Sequence, residues 1–372
     1  MRIVFWQNCL SPHQLPYITH LLDDTRVDSV VVAAGEAVSA SRAKMGWSVG
    51  DYQGLDRCEV YLSPMPQTID HLLSARQKDT WHLFTGISAF PFVFSVLLRS
   101  QRYTLRRGLI MELPNTFALG RRNAKPLWLH RLRYMLGDRK YAASFTKVFA
   151  MGQRAVDYYR GLCSSWQVYP FIYCVGNGQE VLTEQSVGGA KFAFVGSLTP
   201  RKSPIIILEA ASLCVNKSLM GGVTLAGEGL ERERLEGLVT KGNLEYVNLL
   251  GTVPNTEIPH ILSQSDILIL PSQHDGWGAV VNEALNSGCY VLCSDQCGAK
   301  ELLTDPNRGR VFKAGDAQQL ARLMETCCQE IDSIRQGRAA RQQWASSSIS
   351  GAVVARYMVD CLSDVPASQP WR

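Results

Sequence analysis

The stretch Ser265–Asp295 constrains the fold of this chain more than any other part of it. It reads SDILILPSQHDGWGAVVNEALNSGCYVLCSD and contains two apolar runs typical of buried parallel strands, Ile267–Leu270 and Tyr290–Cys293. Between the runs lie a glycine-containing loop and a segment with apolar residues at helical spacing, followed by Gly288 where a helix would end. The order strand, loop, helix, strand predicts a βαβ unit, whose ligand site lies at the carboxyl end of the first strand.

The loop of this unit, HDGWG, predicts an anion site. Gly276 and Gly278 permit backbone conformations that other residues avoid. The first N–H groups of the following helix have no partner within the helix, and such groups bind phosphate readily. Asp275 and Glu283 have seven residues between them, so Glu283 falls in the second helical turn, near the loop that carries Asp275.

At this point the chain resembles family 4 of the retaining glycosyltransferases, which have the two-Rossmann-domain fold known as GT-B. The motif of that family is Glu-x7-Glu with an aromatic-glycine pair between the acids, here Trp277 and Gly278. The chain differs in the first acid, because Asp275 is one methylene shorter than glutamate. The resemblance implies an α/β fold in which two doubly wound, Rossmann-like domains face a cleft.

A second match follows the apolar run Lys191–Val195. Gly196, Arg201 and Lys202 stand at the positions of the family's Gly-x-x-x-x-Arg-Lys segment, which comes after the first strand of the donor domain. A glycine allows close approach, and the two cations supply fixed positive charge for a diphosphate. The pair Ser203–Pro204 is then expected to begin a helix, as its cap and first residue.

The resemblance implies a role for each matching residue. Arg201 and Lys202 would neutralise the leaving diphosphate, Glu283 would accept hydrogen bonds from the ribose, and Asp275 would contact the donor sugar. The donor-binding set expected in this way is Gly196, Ser197, Arg201, Lys202, Glu228, Val253, Gly276, Trp277, Gly278, Ala279, Val280 and Glu283. The chain has no Asp-x-Asp motif for a metal–diphosphate site, so we expect a metal-independent protein without a cofactor.

The first half of the chain departs from the family pattern. Glu112 ends the predicted strand Gly108–Leu113, near the place where family members commonly have an active-site histidine. A carboxylate there is suited to orient the acceptor hydroxyl or to stabilise positive charge on the sugar, and the alternative is a structural ion pair with a neighbouring arginine. We therefore take Glu112, Asp275 and Lys202 as catalytic candidates, and His13 and Gln14, in the loop after the first strand, as acceptor-binding candidates.

Strand and helix signals alternate along the chain and predict three parts. Residues 1–185 form an acceptor-binding domain, residues 186–348 a donor-binding domain, and residues 349–372 a terminal helix and tail that pack on the first domain. The run Val168–Val175, with Pro170 inside it, resembles the family's approach to the linker between the domains. The polar, glycine-rich segment Gly176–Gly189 is the expected hinge.

Composition and cysteine usage indicate a globular protein of the reducing cytosol. The 372 residues are 46% hydrophobic and 19% charged, enough for two large cores. The eleven cysteines are scattered, and the first residues enter a strand pattern without a signal peptide, so we expect free thiols. Cys289, Cys293 and Cys297 recur at intervals of four, but no Cys-x-x-Cys pair or histidine cluster accompanies them, and we expect buried thiols and no metal.

The segment Arg99–Lys140 concentrates positive charge, with eleven Lys and Arg, two acids and several aromatic residues. Such a segment favours an anionic membrane surface or a pyrophosphate-bearing acceptor, and a solvated basic face is the alternative. No nucleic-acid recognition module is visible. The longest apolar run, Ala89–Leu98, is shorter than the roughly 20 residues of a membrane span, so we expect a cytoplasmic protein, peripheral on the inner face of the cell membrane at most.

Together these features predict a retaining glycosyltransferase. It would move a sugar from a UDP- or GDP-sugar to a hydroxyl of a glycan or lipid-linked acceptor, in the synthesis of a bacterial O-antigen, capsule or exopolysaccharide. A nucleotide-sugar 2-epimerase of the same fold and a catalytically silent nucleotide-sugar-binding subunit are the alternatives. An NAD-dependent enzyme would have a G-x-G-x-x-G motif after an early strand, and this chain has none there.

Overall fold

A computed structural model describes most of the chain. The described residues are 1–44, 46–47, 54–114, 127–176, 188–215, 217–242 and 244–372. The greater part of the predicted hinge, residues 177–187, lies outside them, as do residues 115–126 of the basic segment.

Within the described residues, thirteen strands form two parallel sheets. The first sheet comprises β1 (Arg2–Cys9), β2 (Ser29–Glu36), β3 (Glu59–Leu62), β4 (Thr80–Phe84), β5 (Arg106–Glu112), β6 (Lys147–Met151) and β7 (Gln167–Phe171). The second comprises β8 (Ala190–Val195), β9 (Met220–Ala226), β10 (Val247–Gly251), β11 (Ile267–Leu270), β12 (Tyr290–Ser294) and β13 (Gly309–Phe312).

Helices connect the strands and cover both faces of each sheet, as parallel sheets require. Those of the first domain are α1 (Leu15–His20), α2 (Ala40–Ala43), α3 (Pro66–Ser74), α4 (Pro91–Ser100), α5 (Leu127–Arg133), α6 (Arg139–Ala142) and α7 (Gln153–Arg160). A π-helical turn, Tyr134–Asp138, joins α5 to α6. The remainder are α8 (Ile205–Leu213), α9 (Arg232–Lys241), α10 (Ile258–Ser263), α11 (Val280–Asn286), α12 (Ala317–Gln329), α13 (Ile331–Gln336), α14 (Arg338–Ser348) and α15 (Gly351–Leu362).

The two sheets have the same winding. The strand order is β3-β2-β1-β4-β5-β6-β7 in the first and β10-β9-β8-β11-β12-β13 in the second. In each sheet the order reverses beside the first strand, between β1 and β4 and between β8 and β11. Ligands of doubly wound sheets bind outside the carboxyl ends of the strands at such a reversal. The predicted fold class, two doubly wound domains, is therefore confirmed.

The central strands are buried on both faces, which explains their nearly continuous apolar sequences. Every residue of β11 and β12 is buried, and the two strands pair in register from Ile267 with Tyr290 to Leu270 with Cys293. The predicted βαβ unit is present with almost the predicted bounds. A 3₁₀ helix, Gly298–Leu303, follows β12.

The run Val168–Val175 is a strand only as far as Phe171, and the chain then leaves the sheet toward the second domain. One local prediction is wrong. Ser203 does not cap a helix: α8 begins at Ile205, and Ser203 has a φ of +52°, in the left-handed region that non-glycine residues rarely occupy. Both stretches, the residues after Phe171 and Ser203, lie beside the cleft between the domains.

The last helix returns to the first domain, as the fold resemblance implies. The N terminus of α15 approaches α1 so closely that a side chain at Gly351 would overlap with the carbonyl of Pro16. Near the other end of α15, Arg26 pairs with Asp360 at 2.7 Å. The buried ammonium of Lys147, on β6, donates to the carbonyl of Cys361 at 2.6 Å.

The domains also meet along α7. The N–H of Gln153, at the start of α7, donates to the carboxylate of Glu301 at 2.9 Å, and Arg154 donates to the side chain of Gln296 at 3.0 Å. Burial raises the pKa of Glu301 to about 7. These contacts bring the carboxyl edges of the two sheets to face each other across one cleft.

All eleven cysteines lie within the described residues and are free thiols. Cys289, Cys293 and Cys297 are buried, and the thiol of Cys289 donates to the carbonyl of Leu262 at 2.9 Å. Among the residues described, no helix combines the length and apolar character that crossing a membrane demands.

Candidate functional site

The cleft between the domains contains a cavity of about 340 Å³. It lies at the reversal points of both sheets, so residues from the ends of β1, β5, β8 and β11 reach it. Nearly all of the residues predicted for the site line it together: His13, Glu112, Gly196, Ser197, Arg201, Lys202, Glu228, Val253, Asp275, Gly276, Trp277, Gly278, Ala279, Val280 and Glu283.

The glycines of the predicted anion loop serve two different purposes. Gly278 has a φ of +97°, a conformation that only glycine adopts without strain, and it turns the chain into α11. Gly276 does not have a left-handed conformation. Its lack of a side chain is required because Glu112 of the first domain lies against it, and a Cβ there would overlap with Glu112 Oε2 and lie 3.1 Å from Glu112 Cβ.

A buried ion pair connects the two donor-side loops. Lys202 Nζ lies 2.5 Å from Asp275 Oδ2, and Arg201 approaches the same carboxylate at 4.0 Å. The side chains of Lys202 and Asp275 are only 12% and 11% exposed. Burial alone would raise the pKa of Asp275, but the two cations outweigh it and hold this pKa below its ordinary value. Asp275 is therefore ionised at neutral pH.

Main-chain contacts hold the segment that carries the two cations. Arg201 donates from its guanidinium to the carbonyl of His274 at 3.0 Å, and its own carbonyl accepts from the N–H of Gln273 at 2.8 Å. The left-handed conformation of Ser203 turns the chain directly after Lys202. The positive charges are therefore fixed in place before any ligand binds, which lowers the cost of ordering them on binding.

Glu283 and His13 face each other across the cleft. Glu283 Oε1 lies 3.7 Å from His13 Nδ1, and both side chains are less than one fifth exposed. Burial lowers the pKa of His13 to about 3, with further lowering by Arg42 and Lys202, so this imidazole is neutral near pH 7. Burial also raises the pKa of Glu283 to about 7, although Lys202 acts in the opposite direction. The interaction between Glu283 and His13 is therefore a polar contact in which the histidine carries no charge.

Glu112 reaches into the same cleft from the end of β5. Its carboxylate is accessible from the cleft, but it is enclosed by both domains, and this enclosure raises its pKa. The carboxylate of Asp275 acts in the same direction, whereas a hydrogen bond from the hydroxyl of Tyr173, at 2.5 Å, opposes it. The hydrogen-bond partner of the Glu112 carboxylate is thus a tyrosine, and among the described residues no arginine forms the ion pair that was the alternative to a role in the reaction.

Sequence reasoning missed two side chains that shape the cleft, Arg42 and Trp47. The guanidinium of Arg42 lies 4.4 Å from the ring centre of Trp47, and His13 packs edge-on against the same ring at 5.4 Å. The N–H of Asn255 donates to the carbonyl of Gly46 at 3.3 Å, which joins this segment to the second domain. The segment follows β2, and a search of the residues after every predicted strand would have included it.

A second cavity, of about 660 Å³, continues from the first into the first domain. The two share Glu112, Tyr173, Arg42 and Trp47 among their lining residues. Gln14, predicted to bind an acceptor, lines this second cavity and is 6% exposed. Its side-chain oxygen already accepts from Gln7 at 2.6 Å, so that mainly its amide N–H groups are left for a ligand.

Two predicted donor-site residues are engaged within the protein. Trp277 is fully buried, and its indole N–H donates to the side chain of Asn282 at 2.8 Å. Its contribution to the cavity therefore comes from its main chain. Glu228 forms an ion pair with Arg232, four residues further along the chain.

In the described residues there is no group of three or more His, Cys, Asp and Glu side chains that could hold a metal ion, and metal independence stays a prediction.

Comparison with known proteins finds its similarity in the second half of the chain. Residues 184–343 match the profile of the family "Glycosyl transferases group 1". The O-antigen chain mannosyltransferase B of Escherichia coli is 28% identical over 173 residues, which cover 44% of this chain and 44% of that protein. The amylovoran biosynthesis glycosyltransferase AmsK of Erwinia amylovora is 30% identical over 155 residues, covering 40% and 38%. The matches thus span less than half the length of these curated relatives.

The fold of the whole chain is shared with solved structures. The Alr3699/HepE protein of Anabaena, crystallised in complex with UDP, superposes with a TM-score of 0.72 and 17% identity, covering 98% of this chain and 100% of that one. The likeness at this level of identity concerns the fold. Together with the two sheets and their facing carboxyl edges, it shows that the chain has the GT-B fold.

A first test concerns the ion pair of Lys202 and Asp275. Lys202→Ala should raise the dissociation constant for free UDP or GDP roughly tenfold or more, because a hydrogen bond to a charged group contributes about 1.5–3 kcal/mol. Asp275→Asn is the matched control, because it breaks the same pair but keeps the cation. Calorimetry in which both variants weaken nucleotide binding equally, or in which neither does, would show that Lys202 does not bind the diphosphate.

A second test uses the raised pKa of Glu283. Below about pH 7 this carboxyl is protonated and accepts fewer hydrogen bonds from a ribose diol. We expect the affinity for a UDP- or GDP-sugar to fall roughly tenfold between about pH 8 and about pH 5.5. Glu283→Gln should bind more weakly at about pH 8, with little remaining pH dependence and a nearly unchanged melting temperature. A variant that retains the wild-type pH profile would exclude Glu283 from donor binding.

Proposed function

We propose that this protein is a retaining glycosyltransferase, which moves a sugar from a nucleotide diphosphate sugar to the hydroxyl of a glycan or lipid-linked acceptor. One observation carries the proposal. The fixed cations Arg201 and Lys202, the acids Asp275 and Glu283, and the first-domain acid Glu112 converge on a single cleft. A bound donor would contact the second domain, and an acceptor would enter through the cavity in the first.

Arg201 and Lys202 supply the largest part of the proposed chemistry. As the bond between the sugar C1 and the diphosphate oxygen breaks, its electron pair goes to the diphosphate, which gains negative charge. Cations that are already in place stabilise such charge strongly in an enclosed site. The hydrogen bond that Lys202 donates to Asp275 directs this ammonium into the cleft, and Asp275 itself is placed to contact the hydroxyls of the donor sugar.

The acceptor side of the reaction is assigned to Glu112. The acceptor oxygen forms a new bond to C1 on the face from which the diphosphate leaves, and its proton passes to the departing diphosphate oxygen. Before the transfer the Glu112 carboxylate would orient that hydroxyl by accepting its hydrogen bond. When the proton turns to the departing diphosphate oxygen, the carboxylate would stabilise the positive charge that develops on the sugar. This same-face course is what the Glu-x7-Glu resemblance implies, and it uses no metal ion.

The relatives suggest the setting of the reaction. The names of the E. coli and Erwinia proteins refer to an O-antigen chain and to amylovoran, and the Anabaena structure contains UDP. We propose by extension that the chain acts in bacterial surface polysaccharide synthesis with a UDP- or GDP-sugar. It would work in the cytoplasm at the inner face of the membrane.

Membrane contact is proposed for the surface formed by α5, the π-helical turn and α6. Arg99, Arg106 and Arg107 of the basic segment are engaged elsewhere: they contact Asp70, the ring of Trp81 and main-chain carbonyls, respectively. Residues 127–140 instead present large apolar side chains beside cations. The exposed apolar ones are Trp128, Leu129, Leu132, Met135 and Leu136, and the cations are Arg131, Arg133, Arg139 and Lys140. This combination is typical of helices that lie in a membrane interface.

Sugar transfer is tested most directly at Glu112. Labelled nucleotide sugars are incubated with the protein, with and without a bacterial lipid extract. Glu112→Gln should lower turnover by about 10²–10³ while nucleotide affinity stays the same, since one well-placed electrostatic partner is lost. Glu59→Gln is the control, because Glu59 is an exposed acid of the same domain, in loose contact with Arg2 at 3.7 Å. Wild-type turnover in Glu112→Gln would remove Glu112 from the reaction.

The same assay separates the other functions that this fold can have. A 2-epimerase would convert the nucleotide sugar to its isomer without any acceptor. A silent binding subunit would bind the nucleotide sugar and leave it unchanged. Either result would refute the transferase proposal, whereas label in the lipid or glycan fraction supports it.

Lipid binding has its own test. Vesicles of anionic lipid should sediment the wild-type protein in a salt-sensitive manner, and neutral vesicles should not. The double change Arg139→Glu and Lys140→Glu should weaken this binding at least tenfold, because each basic residue near the surface contributes about 1 kcal/mol. Lys241→Glu, an exposed site on the second domain, is the control. Sedimentation that depends neither on lipid charge nor on salt concentration would contradict membrane contact through this surface.

A further inference from the structure

The segment 172–176, which leaves β7 for the second domain, is bonded to both domains. On the side of the first domain, the N–H of Cys174 donates to the carbonyl of His13 at 3.0 Å. On the side of the second domain, the Asn282 side chain donates to the carbonyl of Tyr173 at 3.0 Å. One turn along α11, Asn286 donates in the same way to Gly176. The position of Tyr173 is thus set by α11, the helix that carries Glu283.

The side chain of Tyr173 extends from this segment to Glu112. Its hydroxyl donates to Glu112 Oε1 at 2.5 Å, and its ring lies 6.2 Å from the ring of His13. A second tyrosine, Tyr159 on α7, donates to the main-chain carbonyl of Glu112 at 2.7 Å. Glu112 is thus held at its main chain from within the first domain and at its carboxylate from the segment between the domains.

We propose that Tyr173 is the positioning residue of the site, which aims the carboxylate of Glu112 at the reacting atoms and keeps it aligned with the donor helix. The proposal rests on the proposed function, because it gives Glu112 a target in the transferred sugar or the attacking hydroxyl. Tyr173 acts through Glu112 and through the main-chain bond to Asn282. It need not touch the substrate.

The geometry leaves one oxygen of Glu112 for the reaction. Oε1 is occupied by the Tyr173 hydroxyl, while Oε2 lies against Gly276, beside Asp275 and the loop at the start of α11. A glutamate carboxylate turns freely about its last bond when nothing holds it. The hydrogen bond from Tyr173 removes this freedom and directs Oε2 into the cleft.

Electrostatics add a measurable signature. The titratable and charged groups that act on Glu112 or on Tyr173 are Tyr159, Tyr17, Asp275, Arg201 and Arg42. Enclosure raises the pKa of Glu112, and the bond from Tyr173 lowers it by favouring the charged carboxylate. Enclosure also raises the pKa of Tyr173 well above its ordinary range, so this hydroxyl stays protonated and remains a donor. Removing that hydroxyl should therefore raise the pKa of Glu112.

The variant Tyr173→Phe tests the proposal while keeping the ring. We expect turnover to fall roughly 10- to 100-fold, because the lost hydrogen bond is to a charged group. Nucleotide affinity should remain within about twofold, and the acidic limb of the pH–rate profile should move to higher pH. Tyr169→Phe is the matched control: Tyr169 lies on β7, four residues before Tyr173, and its hydroxyl bonds Gln167 and Lys147 away from the cleft. An acidic limb that does not move would overturn the proposal.

A double variant decides whether Tyr173 acts through Glu112. In the Glu112→Gln background, adding Tyr173→Phe should lower turnover no further than about twofold, because interacting residues are not additive. If Tyr173→Phe lowers turnover by the same factor in both backgrounds, Tyr173 acts independently of Glu112 and the proposal fails. A fall in melting temperature without a change in the pH profile would assign Tyr173 a purely structural role, with the same consequence.

A titration that needs no substrate separates this inference from the proposed function. Carboxyl carbons of ¹³C-labelled glutamate are followed by NMR in the intact protein, and Glu112→Gln identifies the signal of Glu112. Tyr173→Phe should raise the midpoint of that signal, and Tyr169→Phe should not. If wild-type protein transfers no sugar but the midpoint moves, the proposed function fails and the coupling stands. If sugar is transferred and the midpoint does not move, the coupling fails alone.

Discussion

The buried contact between Lys202 and Asp275 is the interaction on which the site depends. It joins the loop after β8 to the loop after β11, the two strands beside which the order of the second sheet reverses. Breaking a buried pair by removing one partner costs more than the pair contributes, because a charge is left without compensation in a poor solvent. The pair therefore fixes both loops, and with them the position of the cations and of the glycine turn into α11. An incoming diphosphate would meet an ammonium whose orientation is already determined.

The close approach of Glu112 to Gly276 extends this arrangement across the cleft. A glycine that does not need an unusual φ is generally replaceable, but this one lies where the first domain touches the second. The absence of a side chain on one domain leaves the space that the carboxylate of the other domain occupies. The catalytic candidates of the two domains are consequently within reach of one substrate, although β5 and β11 belong to different sheets.

The sequence allowed the fold to be predicted well where burial is uniform. The strands β11 and β12 are apolar on both faces, so their sequences clearly predict buried strands. The glycine loop that follows β11 indicates a turn at the edge of the sheet. The conformation of residues in the segments that follow the strands was harder to predict, because it depends on contacts with other parts of the chain. Tyr173 follows an apolar run but lies beyond the end of β7, and its carbonyl accepts a hydrogen bond from Asn282 of the other domain. Serine is a common helix cap, but Ser203 has a left-handed conformation and α8 begins two residues later, at Ile205.

The return of α15 to the first domain has a mechanical consequence. The chain passes between the two bodies twice, once after β7 and once between α14 and α15. A body attached at a single point swivels in every direction, whereas one attached at two points rotates only about the line that joins them. Any opening of the cleft is thereby restricted to a door-like swing. In such a swing the groups nearest the axis, Tyr173 among them, travel least.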